Sequence, residues 1–245
     1  MNDEKLQQAI VEAINNNEIK LYMNTWKNYN EQGANSSGKE GWMSVDEAIE
    51  FNEKYQDDEP FINDTENAPW EIDENSDTNQ TLEYLQKYEE LDEDDQACLK
   101  AIIESEGESN IEQCFETFEG SDYIFLPGVD NEEDLARTYI NDMLGEIDFN
   151  NPSVSNCIDE NAYKESWREM AEESIREEYP ELDENSDEFE SKVDDLTQHL
   201  SDENLEAAKE SNEQDLLNYF DYEQYGRDLT FEGFYIASTG AIKIL

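Results

Sequence analysis

The sequence predicts an α+β fold in which strands and helices occupy separate runs. Three observations carry this. Apolar residues recur at helical spacing through most of the chain, strict alternation is confined to short segments such as Ile19, Leu21 and Met23, and the two kinds of segment do not alternate as βαβ units would. With 245 residues the chain is long enough to bury a real core. Its 66 Asp plus Glu against 15 Lys plus Arg leave a formal charge of −51, and with hydrophobics at 36% that balance points toward disorder. Aromatics at 11%, with 13 Tyr, 10 Phe and 4 Trp, point the other way, so a folded chain is expected.

Leu6, Ile10, Val11 and Ile14 place a short amphipathic helix in residues 1–17. Alternation through 19–26 predicts a half-buried strand, and the Gly/Ser/Asn-rich run 30–41 a loop. Ser44 with Glu47 is a capping-box pattern, opening a helix through Ala48, Ile49 and Phe51. Residues 57–80, with Pro60 and Pro69, read as turns and as a domain boundary. Helical spacing resumes at Thr81 with Leu82, Leu85 and Leu91. A second run holds Cys98, Ala101, Ile102 and Ser105, and a third Ile111, Cys114, Phe115 and Phe118. Short helices with short connections predict a small central bundle.

Residues 122–128 read as a strand ending in a turn. Asp130 then caps a helix with Leu135, Ala136, Tyr139, Ile140 and Met143 inward. Two amphipathic helices are expected in 150–212, one lined by Tyr163, Trp167, Met170 and Ile175, the other by Phe189, Val193, Leu196 and Leu200. The tail reads as a helix followed by two strands joined near Ser238–Gly240. The expected domains are 1–75, 76–118 and 119–245, with small antiparallel sheets in the first and last.

A body of this charge is repelled by DNA, RNA and anionic membranes, so direct binding to them is excluded. No run approaches the length of an apolar membrane span, and the N-terminus lacks the pattern of a signal peptide. Cys98, Cys114 and Cys157, odd in number and without a C-x-x-C, fit reduced thiols in a cytoplasm. His199 is the single histidine, which excludes a His-rich zinc site; neither metal nor cofactor is expected.

The run Gly33-Ala-Asn-Ser-Ser-Gly38-Lys39-Glu40 misses a P-loop by one residue: Glu40 replaces the hydroxyl that ligates magnesium, and no helix begins at once. A surface loop is the better reading. Asp-Glu-Asn-Ser-Asp occurs at 73–77 and 183–187, and resembles the start of a calcium-binding loop. Thr78 and Glu188 stand where that loop needs glycine, so helix caps at Asp77 and Asp187 are expected instead. With 66 acids, carboxylate pairs arise by chance, and no nucleophile elbow or H-E-x-x-H is present, so the chain is read as a non-enzyme.

The charge itself remains. Duplex DNA carries one negative charge per ~1.7 Å of axis, so −51 matches about 25 base pairs. The acids occupy the polar face of nearly every expected helix rather than one tail. Stripes include Glu83, Glu89, Glu90, Asp92, Glu93, Asp94 and Asp95, then Glu132, Glu133, Asp134, Asp142 and Glu146. This set is the candidate partner-binding surface, a surrogate for the phosphate backbone. A merely soluble or halophilic protein is the rival, against which abundant Asn and the aromatic interior weigh.

The tail LLNYFDYEQYGRDLTFEGFYIASTGAIKIL resembles the close of the ArdA antirestriction family, which ends in a comparable N-Y-x-D-Y-x-x-Y-G-R-D-L run. The matching residues are Asn218, Tyr219, Asp221, Tyr222, Tyr225, Gly226, Arg227, Asp228 and Leu229. LYMNTWKNYNEQG is similar to the family's first strand and Y-N-x-G loop, with Tyr29, Asn30 and Gly33. DNEEDLARTYINDMLGEI resembles the helix holding its A-R-x-Y-I, with Ala136, Arg137, Tyr139 and Ile140. The likeness covers roughly 19–149 and 213–245; the N-terminal helix and an acidic helical insertion at about 150–212 depart from it.

The resemblance implies an elongated, three-part α+β homodimer joined through its C-terminal domain. It implies a mimic of bent B-form DNA that occupies the DNA-binding groove of a type I restriction–modification methyltransferase/endonuclease complex. Such a protein serves mobile elements in the cytoplasm of a bacterial host. The alternative is the same mimicry aimed at another defence complex, such as a CRISPR effector, with 150–212 setting specificity. A calcium-responsive acidic protein is a third reading. Arg227 and Asp228 are expected as a buried pair, and Tyr219, Phe220, Tyr222 and Tyr225 as core or dimer interface.

Overall fold

A computed structural model describes residues 18–32, 40–107 and 110–245. The expected helix in 1–17 and most of the near-P-loop lie outside them. The fold is α+β, with two small antiparallel three-stranded sheets and eleven helices among the described residues. The chain divides into two compact units between Tyr123 and Ile124.

In the first unit, strand β1 (Lys20–Thr25) is central, flanked by β2 (Gly41–Met43) and β3 (Pro60–Glu66), both antiparallel to it. Ile19, Leu21 and Met23 are buried as the alternation requires. Between β1 and β2 the chain forms helix α1 (Trp26–Gln32) where a loop is expected from residue 30. Thr25 Oγ1 accepts from the Asn28 N–H, and the Trp26 ring stacks on Phe61 at 4.3 Å. Tertiary contact thus makes a helix of an Asn-rich segment with weak propensity. β3 falls within the stretch read as turns. Only Phe61 and Ile62 of it are buried, too few to show a period, and pairing with β1 recruits the rest.

Helix α2 (Val45–Lys54) starts at Ser44 with the full reciprocal capping box to Glu47. Three further helices follow, α3 (Thr78–Glu89), α4 (Glu93–Glu106) and α5 (Ile111–Gly120). Asp77 caps α3 by accepting the Gln80 N–H. Leu82, Leu85, Leu99, Ile102, Ile103 and Phe115 on these helices are buried, and the Tyr84 and Phe115 rings contact each other at 4.7 Å. The expected division near residue 75 falls inside this unit: the Thr78 hydroxyl donates to the Pro60 carbonyl, and Trp70 lies edge-on to Tyr88 and Phe115.

The second unit is built on β4 (Tyr123–Pro127), β6 (Gly240–Ile244) and β5 (Tyr235–Ala237), in the spatial order β4-β6-β5. Helices α6 (Glu132–Tyr139) and α11 (Tyr222–Phe231) pack tightly on each other. Asn131, one residue past the expected Asp130, caps α6. After Tyr139 the helix widens into a π turn at Ile140–Leu144, which rotates Met143 out of the expected inner face and leaves it exposed.

Residues 150–212 hold four helices rather than two: α7 (Pro152–Ser155), α8 (Glu160–Ser166), α9 (Arg168–Glu178) and α10 (Asp187–Ser211). The expected first helix breaks at Trp167, so Met170 points outward and Ala171 joins Ile175 inside. Ser186, not Asp187, caps α10. Cys157, Tyr163, Leu205 and Ala208 join the main core of the unit. Ala171, Ile175, Phe189 and Val193 make a smaller core between α9 and the first half of α10. The Arg168 guanidinium clamps that hairpin through Glu190 and Asp194.

The inner seam of α10 is interrupted by buried Thr197, whose hydroxyl makes no hydrogen bond. An orphaned buried hydroxyl costs about 1–3 kcal/mol. Thr197→Val, nearly the same shape, is expected to stabilise the protein by about 1 kcal/mol, read as a higher urea midpoint.

Candidate partner-binding surface

The candidate acids fall into two physical classes. Asp92 caps α4 by accepting the Asp95 N–H, and Glu93, Asp94 and Asp95 form that helix's first turn. Glu132, Glu133 and Asp134 form the first turn of α6. The partial positive charge of a helix N-terminus favours such carboxylates by about 0.3–1 kcal/mol each, so these seven serve the fold as well as the surface. Glu132 and Asp134 are half-buried, Glu133 pairs with Arg137 at 2.8 Å, and Asp134 accepts from the Asn131 amide.

The second class has no such reason. Glu89 and Glu90 close α3 at its C-terminal end, where the helix dipole opposes negative charge. Both are exposed, as are Asp142 on the π turn and Glu146 beyond it. Glu83, also exposed, is held by Lys87 at 2.9 Å. The pattern extends past the predicted set. Glu104 and Glu106 end α4, and Glu116 and Glu119 lie near the end of α5, neither helix having a basic residue in its last turn.

Desolvation, and then the Asp46 and Glu18 carboxylates, raise the Glu89 carboxyl above its usual range. A carboxyl raised in the folded state stabilises the fold only when protonated, so its charged form at neutral pH is unfavourable. Glu89→Gln is therefore expected to raise the melting temperature at pH 7 by on the order of 1 °C. The difference should vanish as pH falls below the unfolded carboxyl value of about 4.3, as thermal scans across pH will read.

Charge is shared evenly along the sequence, with 33 carboxylates against 7 basic residues in 1–123 and 33 against 8 in 124–245. All four arginines are engaged locally: Arg137 with Glu133, Arg168 with Glu190 and Asp194, Arg176 with Glu172 and Glu184, Arg227 with Glu223.

The tail residues correct one expectation. Arg227 and Asp228 are not a buried pair. Arg227 is exposed and bound to Glu223 one turn earlier, while Asp228 accepts from the Cys157 thiol at 3.9 Å. Consecutive residues on a helix point about 100° apart, which separates the two side chains. Phe220 and Tyr225 are buried and Tyr219 and Tyr222 half-buried, all four in the main core of the second unit. Burial pushes the Tyr225 hydroxyl up to about 12 and the Cys157 thiol up to about 11, the latter helped by Asp228 and Asp221. Cys98 and Cys114 are buried and raised in the same way, so all three cysteines are protonated thiols at neutral pH.

Sequence reasoning missed how the family-like segments meet. The Arg137 guanidinium lies 3.7 Å above the Tyr222 ring, and Gly226 lies against the Glu132 backbone. Of the first motif, Tyr29 and Asn30 lie on α1 rather than in a loop, and Gly33 is outside the described residues. Among the described residues no group of acidic, His or Cys side chains is arranged to hold a metal ion, and no helix is long and apolar enough to cross a membrane. Compared with protein-family models and with curated proteins, the chain matches none.

Proposed function

We propose that this protein is a non-catalytic DNA mimic, acting as a homodimer, that inhibits a type I restriction–modification enzyme by occupying its DNA-binding groove. The observation that carries the reading is the second class of acids. Carboxylates stand at helix C-termini, where they work against the fold, on a body with a packed aromatic core. Charge placed against local stability calls for an external purpose, and a basic groove supplies one.

The charge density of one helix is comparable with that of a nucleic-acid strand. Helix α10 spans 25 residues, about 37 Å, and carries nine carboxylates, or one per ~4 Å. One DNA strand carries one phosphate per ~3.4 Å of axis. A single helix here therefore approaches the density of one strand, and several helices together are needed to approach a duplex. Glu188, Asp195, Asp202 and Glu206 recur at seven, seven and four residues, which keeps them on one stripe of α10. Arg137 lies over the Tyr222 ring and Gly226 against the Glu132 backbone, so two of the segments that resemble the family pack on each other.

The test is competition. A purified type I methyltransferase bound to labelled DNA is expected to release it as this protein is added, and the protein's own affinity for the DNA-free enzyme, measured directly, is expected to fall as salt rises. Unchanged DNA retention at large excess would end the proposal.

A further inference from the structure

The first unit carries a groove that the charge reading does not use. It opens between the edge strand β2 and the outer face of α2, with a volume of about 480 Å³. One wall is Trp42, an exposed indole set edge-on to Tyr22 at 5.5 Å. The other is the α2 face at helical spacing, where the Phe51 and Tyr55 rings contact each other at 4.7 Å. Glu40, Glu47 and Glu50 bring carboxylates to the same groove.

The roles of these groups differ. Glu47 accepts from the Ser44 N–H in the capping box, and Glu40 accepts from the Asn24 side chain. Glu50 makes no hydrogen bond or ion pair among the described residues, although it faces a groove that also holds a lysine. That lysine, Lys54, rests its ammonium 4.9 Å from the Tyr55 centroid, so one cation already sits on one ring. The Trp42 and Phe51 faces and the Glu50 carboxylate are what remain.

We propose that this groove receives an arginine side chain of a basic partner protein. The chemistry selects arginine. A planar guanidinium stacks on an indole while its edge forks to a carboxylate; an ammonium is a point charge that does not stack, and an aliphatic chain leaves Glu50 unanswered. Charge complementarity selects a basic protein as its source, the first unit being strongly anionic. The proposal rests on the reading of the protein as a ligand for a basic groove. It deepens that reading by giving the otherwise diffuse surface one anchoring pocket, of the kind that dominates protein interfaces.

The experiment titrates the full-length, isotope-labelled protein with N-acetyl-arginine amide at about 0.15 M salt, following indole and backbone NMR signals. Expected is a saturable shift of the Trp42 indole and the Glu50 and Phe51 amides. N-acetyl-lysine amide should bind at least about threefold more weakly, and N-acetyl-norleucine amide should not saturate. Trp42→Ala is expected to abolish the effect and Glu50→Gln to weaken it; Trp42 is exposed, so unchanged signals from the other indoles will show that both variants fold. Equal response to all three compounds, saturation by the norleucine compound alone, or shifts that persist in W42A would overturn the proposal.

In the methyltransferase assay, W42A is expected to inhibit about tenfold less well than wild type. The two readings fail separately. If wild type does not displace DNA, the restriction target is wrong whatever the titration shows; if it displaces DNA and the titration is silent, the groove is not an arginine site.

Discussion

Gly226→Ala is expected to cost the second unit at least about 3 kcal/mol, the upper end of overpacking in cores. A Cβ on residue 226 would lie 1.8 Å from the Glu132 carbonyl oxygen, 2.4 Å from its carbonyl carbon and 2.9 Å from its Cα. All three are backbone atoms, so no rotamer change relieves the clash, and α6 must move off α11. That movement would draw Leu135, Ala136, Tyr225 and Leu229 out of one shared core. Gly120→Ala is the control: its Cβ would meet nothing nearer than the Asp122 carboxylate at 3.8 Å. Urea unfolding should show a sharp drop in midpoint for G226A and almost none for G120A. A wild-type midpoint in G226A would mean that the two helices do not approach each other this closely.

The second large effect is collective and has opposite signs in two assays. Replacing about ten exposed carboxylates by their amides, among them Glu89, Glu90, Asp142 and Glu146, is expected to weaken inhibition at least ~100-fold, while single replacements stay within about twofold. The same ten-fold variant should melt at a higher temperature than wild type in low salt, because like charges on the folded body repel. Added salt should likewise raise the wild-type melting temperature while weakening its direct binding to the DNA-free enzyme. For DNA itself, six to ten phosphate contacts correspond to about 10³–10⁵ in affinity between 50 and 200 mM salt. The mimic should respond less steeply, since spaced carboxylates condense fewer counterions than a duplex. Inhibition that tracks melting temperature across the series would show that the acids act through the fold and not through a partner.

The starts of α2 and α3 were legible because a capping residue stands in sequence beside the turn it serves, while the caps of α6 and α10 lie one residue from the expected Asp130 and Asp187, at Asn131 and Ser186. Ser44 with Glu47 and Asp77 with Gln80 are local hydrogen bonds, and local spacing reveals them. The buried faces of α3, α4 and α5 were legible for the same reason. β3 was not, because two buried residues in seven show no period and the strand exists through its pairing with β1. Met143 and Met170 were misplaced because a π turn and a break at Trp167 shift the phase of a periodic pattern without marking the sequence.

The candidate surface divides in the same way. With acids everywhere, sequence could find the anionic faces but could not rank their members. The ranking came from helix polarity: Asp92–Asp95 and Glu132–Asp134 sit where a helix welcomes negative charge, Glu89 and Glu90 where it resists. Arg227 and Asp228 are adjacent in sequence, yet a helix turns neighbours apart and brings together residues three or four positions away, so Arg227 meets Glu223 and not Asp228.

Net charge, its even spread along the chain, the helical faces and the helix–strand–strand order of the tail were determined by the sequence alone, since charge adds without regard to conformation and periodicity is a property of neighbours. The contact of Gly226 with Glu132, the stacking of Arg137 on Tyr222, the joining of 150–212 to the main core of the second unit and the groove beneath Trp42 were decided only by tertiary structure. Each depends on the meeting of segments that nothing in their local chemistry ties together.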